Sequence, residues 1–376
     1  MDFHWLTPRS NKVLVPVTVL VLLAAFWVES GKEVVPSPWY EDMLRAAQLS
    51  ATAARAIKDH RLERGVFVDA INDPAETAMI GQEFTQITTD RGYLDAKLAS
   101  TDPNFAAVAV DLFRQIELEE GDCVALATTG SFPALNLSTI AALEVLGIEA
   151  VTISSVGASN YGATDPFFTW LDMERVVHER GIFSTRSMAA SIGGDNDTGR
   201  GLAPKGRELL AQAIRRNDIT MIATEQLEGS IQERVRMFRE GCAPRDVSAY
   251  INVGGGIASL GHPLNADLIP VGASLRLPDR NYPARGTLLR FAADGVPVVQ
   301  LRNVRQLRDR YGLDSVADAV PAPGRGDVFG QVRYDLPRAY LATFGILSIL
   351  ISLFTWDRRI HRLGQLGPED EKREDS

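Results

Sequence analysis

Apolar residues follow three patterns along this chain. Two stretches are continuous and uncharged: residues 13–28 (VLVPVTVLVLLAAFWV) and residues 339–356 (AYLATFGILSILISLFTW). A helix rises about 1.5 Å per residue, so roughly 20 apolar residues span a bilayer core. The second stretch meets that length. The first is short, and Trp5 and Leu6 extend it toward an interface. Between them the pattern changes to short apolar runs alternating with helical periodicity. Both ends of the chain are polar.

The interior alternation predicts the elements. Ser37-Pro38 reads as an N-cap and first-turn proline opening a helix to about residue 59. Asp102-Pro103 opens another, carrying Phe105, Val108, Leu112 and Ile116. Residues 65–100 mix apolar runs with turns and give no assignment. Next, VALAT (124–128) reads as a strand, 134–146 as a helix ended by Gly147, and IEAVTIS (148–154) as a second strand. Such a strand–helix–strand unit normally has parallel strands and a right-handed crossover. No Lys or Arg occurs from residue 115 to 174, as in strands covered on both faces. Helices at 166–180, 204–217 and 231–241 and strands at 219–223, 247–253 and 298–301 continue the alternation. The predicted fold is an α/β, doubly wound, mostly parallel sheet. Residues 320–326 (VPAPGRG) read as a tether, and residues 367–376 as a charged tail.

Flanking charge sets the predicted topology. Arg9 and Lys12 precede the first apolar stretch and Glu29 and Glu33 follow it; Arg358, Arg359 and Arg362 follow the second. Basic flanks stay cytoplasmic. The expected layout is a cytoplasmic tail (1–12), a transmembrane helix (13–28), an extracytoplasmic α/β domain (29–337), a second transmembrane helix (338–356) and a cytoplasmic tail (357–376). A cleaved signal peptide is the competing reading of the first stretch.

The outer segment carries 31 basic and 41 acidic side chains, a net charge of −10. That balance argues against nucleic acid, which needs a basic face. A polyanionic ligand would need local arginines working against the mean field; Arg175, Arg186, Arg200 and Arg207 lie near the candidate loops. Cys123 opens an apolar strand and Cys242 ends a helix. Two buried free thiols are the preferred reading, and a disulfide is permitted outside the cytoplasm. No CxxC, HExxH or histidine-rich tract signals a metal, and nothing calls for a cofactor.

Ligands of doubly wound sheets bind beyond the carboxyl ends of the strands. Three loops there are rich in small and polar residues: 128–136 (TTGSFPALN), 154–164 (SSVGASNYGAT) and 252–262 (NVGGGIASLGH). A fourth, 193–201 (GGDNDTGRG), is too polar for a plain connector. The candidate ligand-binding residues are Thr129, Gly130, Ser131, Asn136, Ser159, Asn160, Asp195, Asn196, Asp197, Arg200, Gly254, Gly255 and Gly256. Ser131 leads into a helix, where free amides favour a carboxylate or phosphate, although a serine there often only caps. As chemistry, Ser131 could be a nucleophile with His262 as base and Asp195 as orienter, though no G-x-S-x-G elbow supports it. A structural role is the simpler reading for His262, and Asx-turns for Asp195 and Asp197.

These strings, with ITTDRGYLDAKLASTDPNFAA (87–107), SMAASIGGDNDTGRGL (187–202) and both apolar stretches, resemble the poly-γ-glutamate system protein family. Thr129 stands where the family's turn carries serine. The resemblance implies a membrane accessory protein working with the synthase subunits that make poly-γ-glutamate, an anionic capsule polymer, and it carries no catalytic residues over. The expected function is therefore an anchored accessory subunit that holds polymer or partner subunits. An extracytoplasmic hydrolase or transferase using Ser131 is one alternative. A pure scaffold, packing through Gly345 and Ser348, is another.

Overall fold

The computed structural model describes residues 11–66, 68–314 and 319–364. The charged tail expected at 367–376 lies outside these residues. The chain forms two compact units, one from the two ends and one from residues 37–329.

In the end-derived unit, a helix Asn11–Glu29 and a helix Leu336–Gly364 are joined to a two-stranded antiparallel ribbon, Glu33–Pro36 with Gly330–Arg333. The stretch Leu336–Trp356 is long and apolar enough to cross a membrane, and none of it is buried. Val13–Glu29 is apolar but shorter. It carries Pro16 inside the helix. The Arg338 guanidinium lies over the Trp27 ring, 5.9 Å from its centre.

The larger unit is built on seven strands: β1 (Cys123–Thr129), β2 (Glu149–Ser155), β3 (Ser187–Ser191), β4 (Thr220–Met221), β5 (Ala249–Val253), β6 (Gly272–Ser274) and β7 (Val298–Leu301). Their order in the sheet is β4-β3-β2-β1-β5-β7-β6. All neighbours run parallel except β7 and the edge strand β6. The chain winds outward from β1 through β4, then returns to the other side of β1 with β5. The β1/β5 boundary is thus the point where strand order reverses.

The two-residue period of each strand divides the core. Val124, Leu126, Ile251, Val253, Val299 and Leu301 face one cluster. It is closed by α1 (Tyr40–Glu63), α3 (Phe105–Gln115), α4 (Pro133–Leu146), α5 (Trp170–Glu179) and α6 (Pro204–Arg216). Cys123, Ala125, Ala127, Tyr250 and Val298 face the other, closed by α7 (Leu227–Cys242) and α8 (Thr287–Ala293). The helix α2 (Leu94–Ala99) and α9 (Val304–Arg310) flank the carboxyl ends of the strands. The α/β class and the mostly parallel sheet match the expectation.

Several expectations are corrected. Cys123 and Cys242 are not free thiols; they form a disulfide. The first residue of β1 and the last of α7 meet on the same sheet face, with Cα atoms 5.7 Å apart. The helix expected from residue 166 begins at Trp170, because Thr169 and Asp172 form a capping box there. The 320–326 segment, expected as a short tether, is also hydrogen-bonded to the body: Asn104 donates to the Ala322 carbonyl at 3.0 Å and accepts from the Gly324 amide at 2.9 Å. Strand β3 was not expected at all.

Candidate functional site

A cleft of about 500 Å³ opens at the carboxyl ends of the strands, beside the β1/β5 reversal. Its floor is local backbone. β1 ends on Thr129, and the chain turns through Gly130 and Ser131 into α4. β5 ends on Val253 and turns at Gly254, whose φ is +90°. A side chain at Gly254 would place its Cβ 2.5 Å from the Thr129 hydroxyl, so the close approach of the two turns requires glycine. Gly255 and Gly256 then line the cleft.

One wall comes from the region that sequence left unassigned. Residues Thr88–Asp90 pair in parallel with Ala158–Ser159, placing Asp90 beside Ser159. Asn160 clamps the following turn, accepting from the Gly92 amide at 2.9 Å and donating to the Glu83 carbonyl at 2.7 Å. The turn delivers α2, and α2 delivers Lys97, which is 2% exposed. The Lys97 ammonium donates to the Ser131 carbonyl and to the Ser159 hydroxyl at 2.8 Å. It also sits 3.8 Å from the centre of the Phe132 ring. Burial pushes its pKa down to about 7, against a weaker upward pull from Asp90.

Arg302 and Arg305, which follow β7, also line the cleft, and Arg91 completes the set of guanidinium groups there. Arg305 is tied to Asp95 at 3.0 Å and lies over the Tyr93 ring. Arg302 has only long contacts to Ala266 and Asp267, at 3.4 and 3.5 Å. Against these cations stand Asp90 and Asp195. Three arginines against two aspartates leave the lining with a small excess of positive charge in a chain whose formal charge is −9.

The residues singled out from sequence divide sharply. Thr129, Ser131, Ser159, Asp195, Gly255 and Gly256 line the cleft. Gly130 is buried, and a Cβ there would lie 2.4 Å from the Val156 carbonyl. Asn136 is fully buried and donates to the Thr129 carbonyl at 2.9 Å, bracing the turn from below. Asn196 fixes its own loop through the Glu225 carbonyl and the Leu227 amide. Asp197 is buried and paired with Arg234 at 3.1 Å. Arg200 is exposed and outside the cleft lining, 3.9 Å from Asp195.

Ser131, His262 and Asp195 are not joined into a triad. The Ser131 hydroxyl accepts from the Ser159 amide at 3.1 Å. His262 Nδ1 accepts from the Leu264 amide at 3.2 Å, which closes a local turn. His262 does not line the cleft, and neither do Arg175, Arg186 or Arg207. Arg186 and Arg207 instead donate to backbone carbonyls, of Asn217 and Leu202. The basic side chains that do line the cleft are Lys97, Arg91, Arg302 and Arg305, all missed from sequence. Arg302 and Arg305 did carry a signal, because they follow a predicted strand at its carboxyl end.

Among the described residues, no group of three or more His, Cys, Asp or Glu is placed to hold a metal. No protein family, curated protein or solved structure matches the chain.

Proposed function

We propose that this is a membrane-anchored accessory protein of poly-γ-glutamate synthesis or export, whose α/β body holds carboxylate-bearing γ-glutamyl chains in the cleft. The observation that carries the reading is the concentration of Arg91, Arg302 and Arg305 in one strand-end cleft of an acidic chain. Guanidinium groups bind carboxylates through paired N–H donors. A polymer with a carboxylate on every residue presents that partner repeatedly.

The anchoring reading rests on the apolar stretch Leu336–Trp356, with Val13–Glu29 as a second span. Basic residues on the outer flanks of both stretches favour cytoplasmic ends. The Cys123–Cys242 disulfide favours an oxidising compartment for the body, hence an extracytoplasmic position. The synthase subunits are the proposed protein partners, and no cofactor is required.

The test is equilibrium binding of γ-glutamyl oligomers to the full-length protein in lipid nanodiscs. Affinity should fall steeply as salt rises, because the contacts are between charged groups near a solvent-open surface. Binding that ignores salt, or no binding, contradicts the reading.

A further inference from the structure

Lys97 and Ser159 are paired more tightly than a binding site needs. The Lys97 nitrogen lies 2.8 Å from the Ser159 hydroxyl oxygen, and both residues line the cleft. The hydrogen-bond partners of Lys97 are two uncharged oxygens, the Ser131 carbonyl and the Ser159 hydroxyl. Burying an ammonium without a paired carboxylate is costly, and a methionine would fill the same apolar slot over Phe132 without that cost. The arrangement is instead complete for a neutral amine. In the neutral form an N–H still donates to the Ser131 carbonyl, and the 2.8 Å contact reverses, the Ser159 hydroxyl donating to the amine lone pair.

We propose that Ser159 is a nucleophile and Lys97 its general base, so that the cleft cuts or transfers γ-glutamyl amide bonds through an acyl-Ser159 intermediate. This rests on the γ-glutamyl reading of the cleft. The Ser159 oxygen attacks the amide carbonyl carbon, and its proton passes to the Lys97 nitrogen. The carbonyl π electrons move onto oxygen. As that tetrahedral species collapses, the carbon–nitrogen bond breaks and the Lys97 proton goes to the departing amine. Water, or the amine of another chain, then attacks the ester carbonyl and gives its proton to Lys97. The ester bond breaks, and Lys97 returns the proton to Ser159. No electrons are gained or lost overall.

The surrounding residues suit this chemistry. Asp90 pairs with Ser159 along the short parallel ladder and fixes its backbone. Ser131 accepts the Ser159 amide proton at 3.1 Å, which makes it a positioning residue for the hydroxyl. Ser131 itself is no equal candidate, since no base is hydrogen-bonded to it. The lowered Lys97 pKa supplies neutral amine near pH 7, where a general base must act.

The test uses the full-length protein in nanodiscs with γ-glutamyl-p-nitroanilide, together with a fluorophosphonate probe and peptide mapping. The expected result is p-nitroaniline release that rises with pH through about 7, and probe attached to Ser159. Ser159→Ala should lower release at least a hundredfold while still binding γ-glutamyl oligomer. Lys97→Met should remove the pH-dependent limb and the probe labelling. Release that survives in Ser159→Ala, or wild-type protein that binds oligomer yet neither turns over nor labels, overturns the proposal. Failure to bind oligomer at all overturns the binding reading instead, and probe labelling still reports separately on the pair.

Discussion

The Arg234 guanidinium lies 3.1 Å from the Asp197 carboxylate, and each side chain is 1% exposed. The pair sits on the α7 face of the sheet, where Ser155, Ser191 and Ser230 complete its hydrogen bonds. It anchors the 193–201 loop, whose Asn196 and Asp197 both adopt positive φ. Removing one partner of a buried pair strands the other charge, at about 3–5 kcal/mol. Asp197→Ala should therefore lower the urea midpoint strongly, whereas Asp195→Ala, at a site 69% exposed, should barely move it. Equal effects from both would contradict the division of the loop into an anchor and a cleft face.

The Cys123–Cys242 disulfide links residues 119 apart in sequence. Cross-links of this kind stabilise by about 2–4 kcal/mol, largely by restricting the unfolded chain. The Cys123→Ser/Cys242→Ser protein should melt at a lower temperature than the oxidised wild type and match the reduced wild type. Identical melting of oxidised and reduced protein would show that the bridge contributes nothing.

Three buried groups give the stability an unusual pH profile. Burial raises the Asp102 carboxyl from 3.8 to about 7 and the Glu174 carboxyl from 4.5 to about 7. Their folded environments favour the protonated form, so their contribution is largest below the unfolded values and declines as pH rises to about 7. Lys97, lowered from 10.5 to about 7, works in the opposite sense. Its folded site favours the neutral amine, so stability recovers between about 7 and 10.5. These groups together place a minimum near neutrality. Asp102→Asn/Glu174→Gln should flatten the acid limb and Lys97→Met the alkaline limb, read as urea midpoints against pH. Unchanged limbs would contradict the assignment.

The cleft arginines should control affinity without controlling the fold. Charged hydrogen bonds contribute about 1.5–3 kcal/mol, so Arg302→Ala should weaken γ-glutamyl oligomer binding by roughly tenfold or more. Arg245 pairs with Glu149 and the Gly121 carbonyl at the amino ends of the strands. Arg245→Ala should leave binding unchanged. Isothermal titration calorimetry on both variants checks the contrast, and equal losses would remove the cleft as the site.

Most of the scaffold was legible because its strands are apolar and short. VALAT and VVQL are continuous runs, and glycine or proline marks the ends of α4 and α6. Strand β3 (SMAAS) was hidden because its outward signal is polar. Ser187 bonds the buried Glu174 and Ser191 the buried Asp197, so these serines are interior residues that look like loop. The disulfide was left open because residues 119 apart show no contact in sequence. Lys97 was illegible for a similar reason. A single lysine in LDAKLA reads as a solvated helix face, and its partners Ser131, Phe132 and Ser159 lie far from it in sequence.

Hydrogen–deuterium exchange on the full-length protein in nanodiscs, with and without γ-glutamyl oligomer, tests the cleft most directly. Protection is expected in residues 89–97, 129–132, 157–159, 194–195, 255–257 and 302–305, segments that line it. Protection confined to other segments, or none at saturating oligomer, would contradict the account.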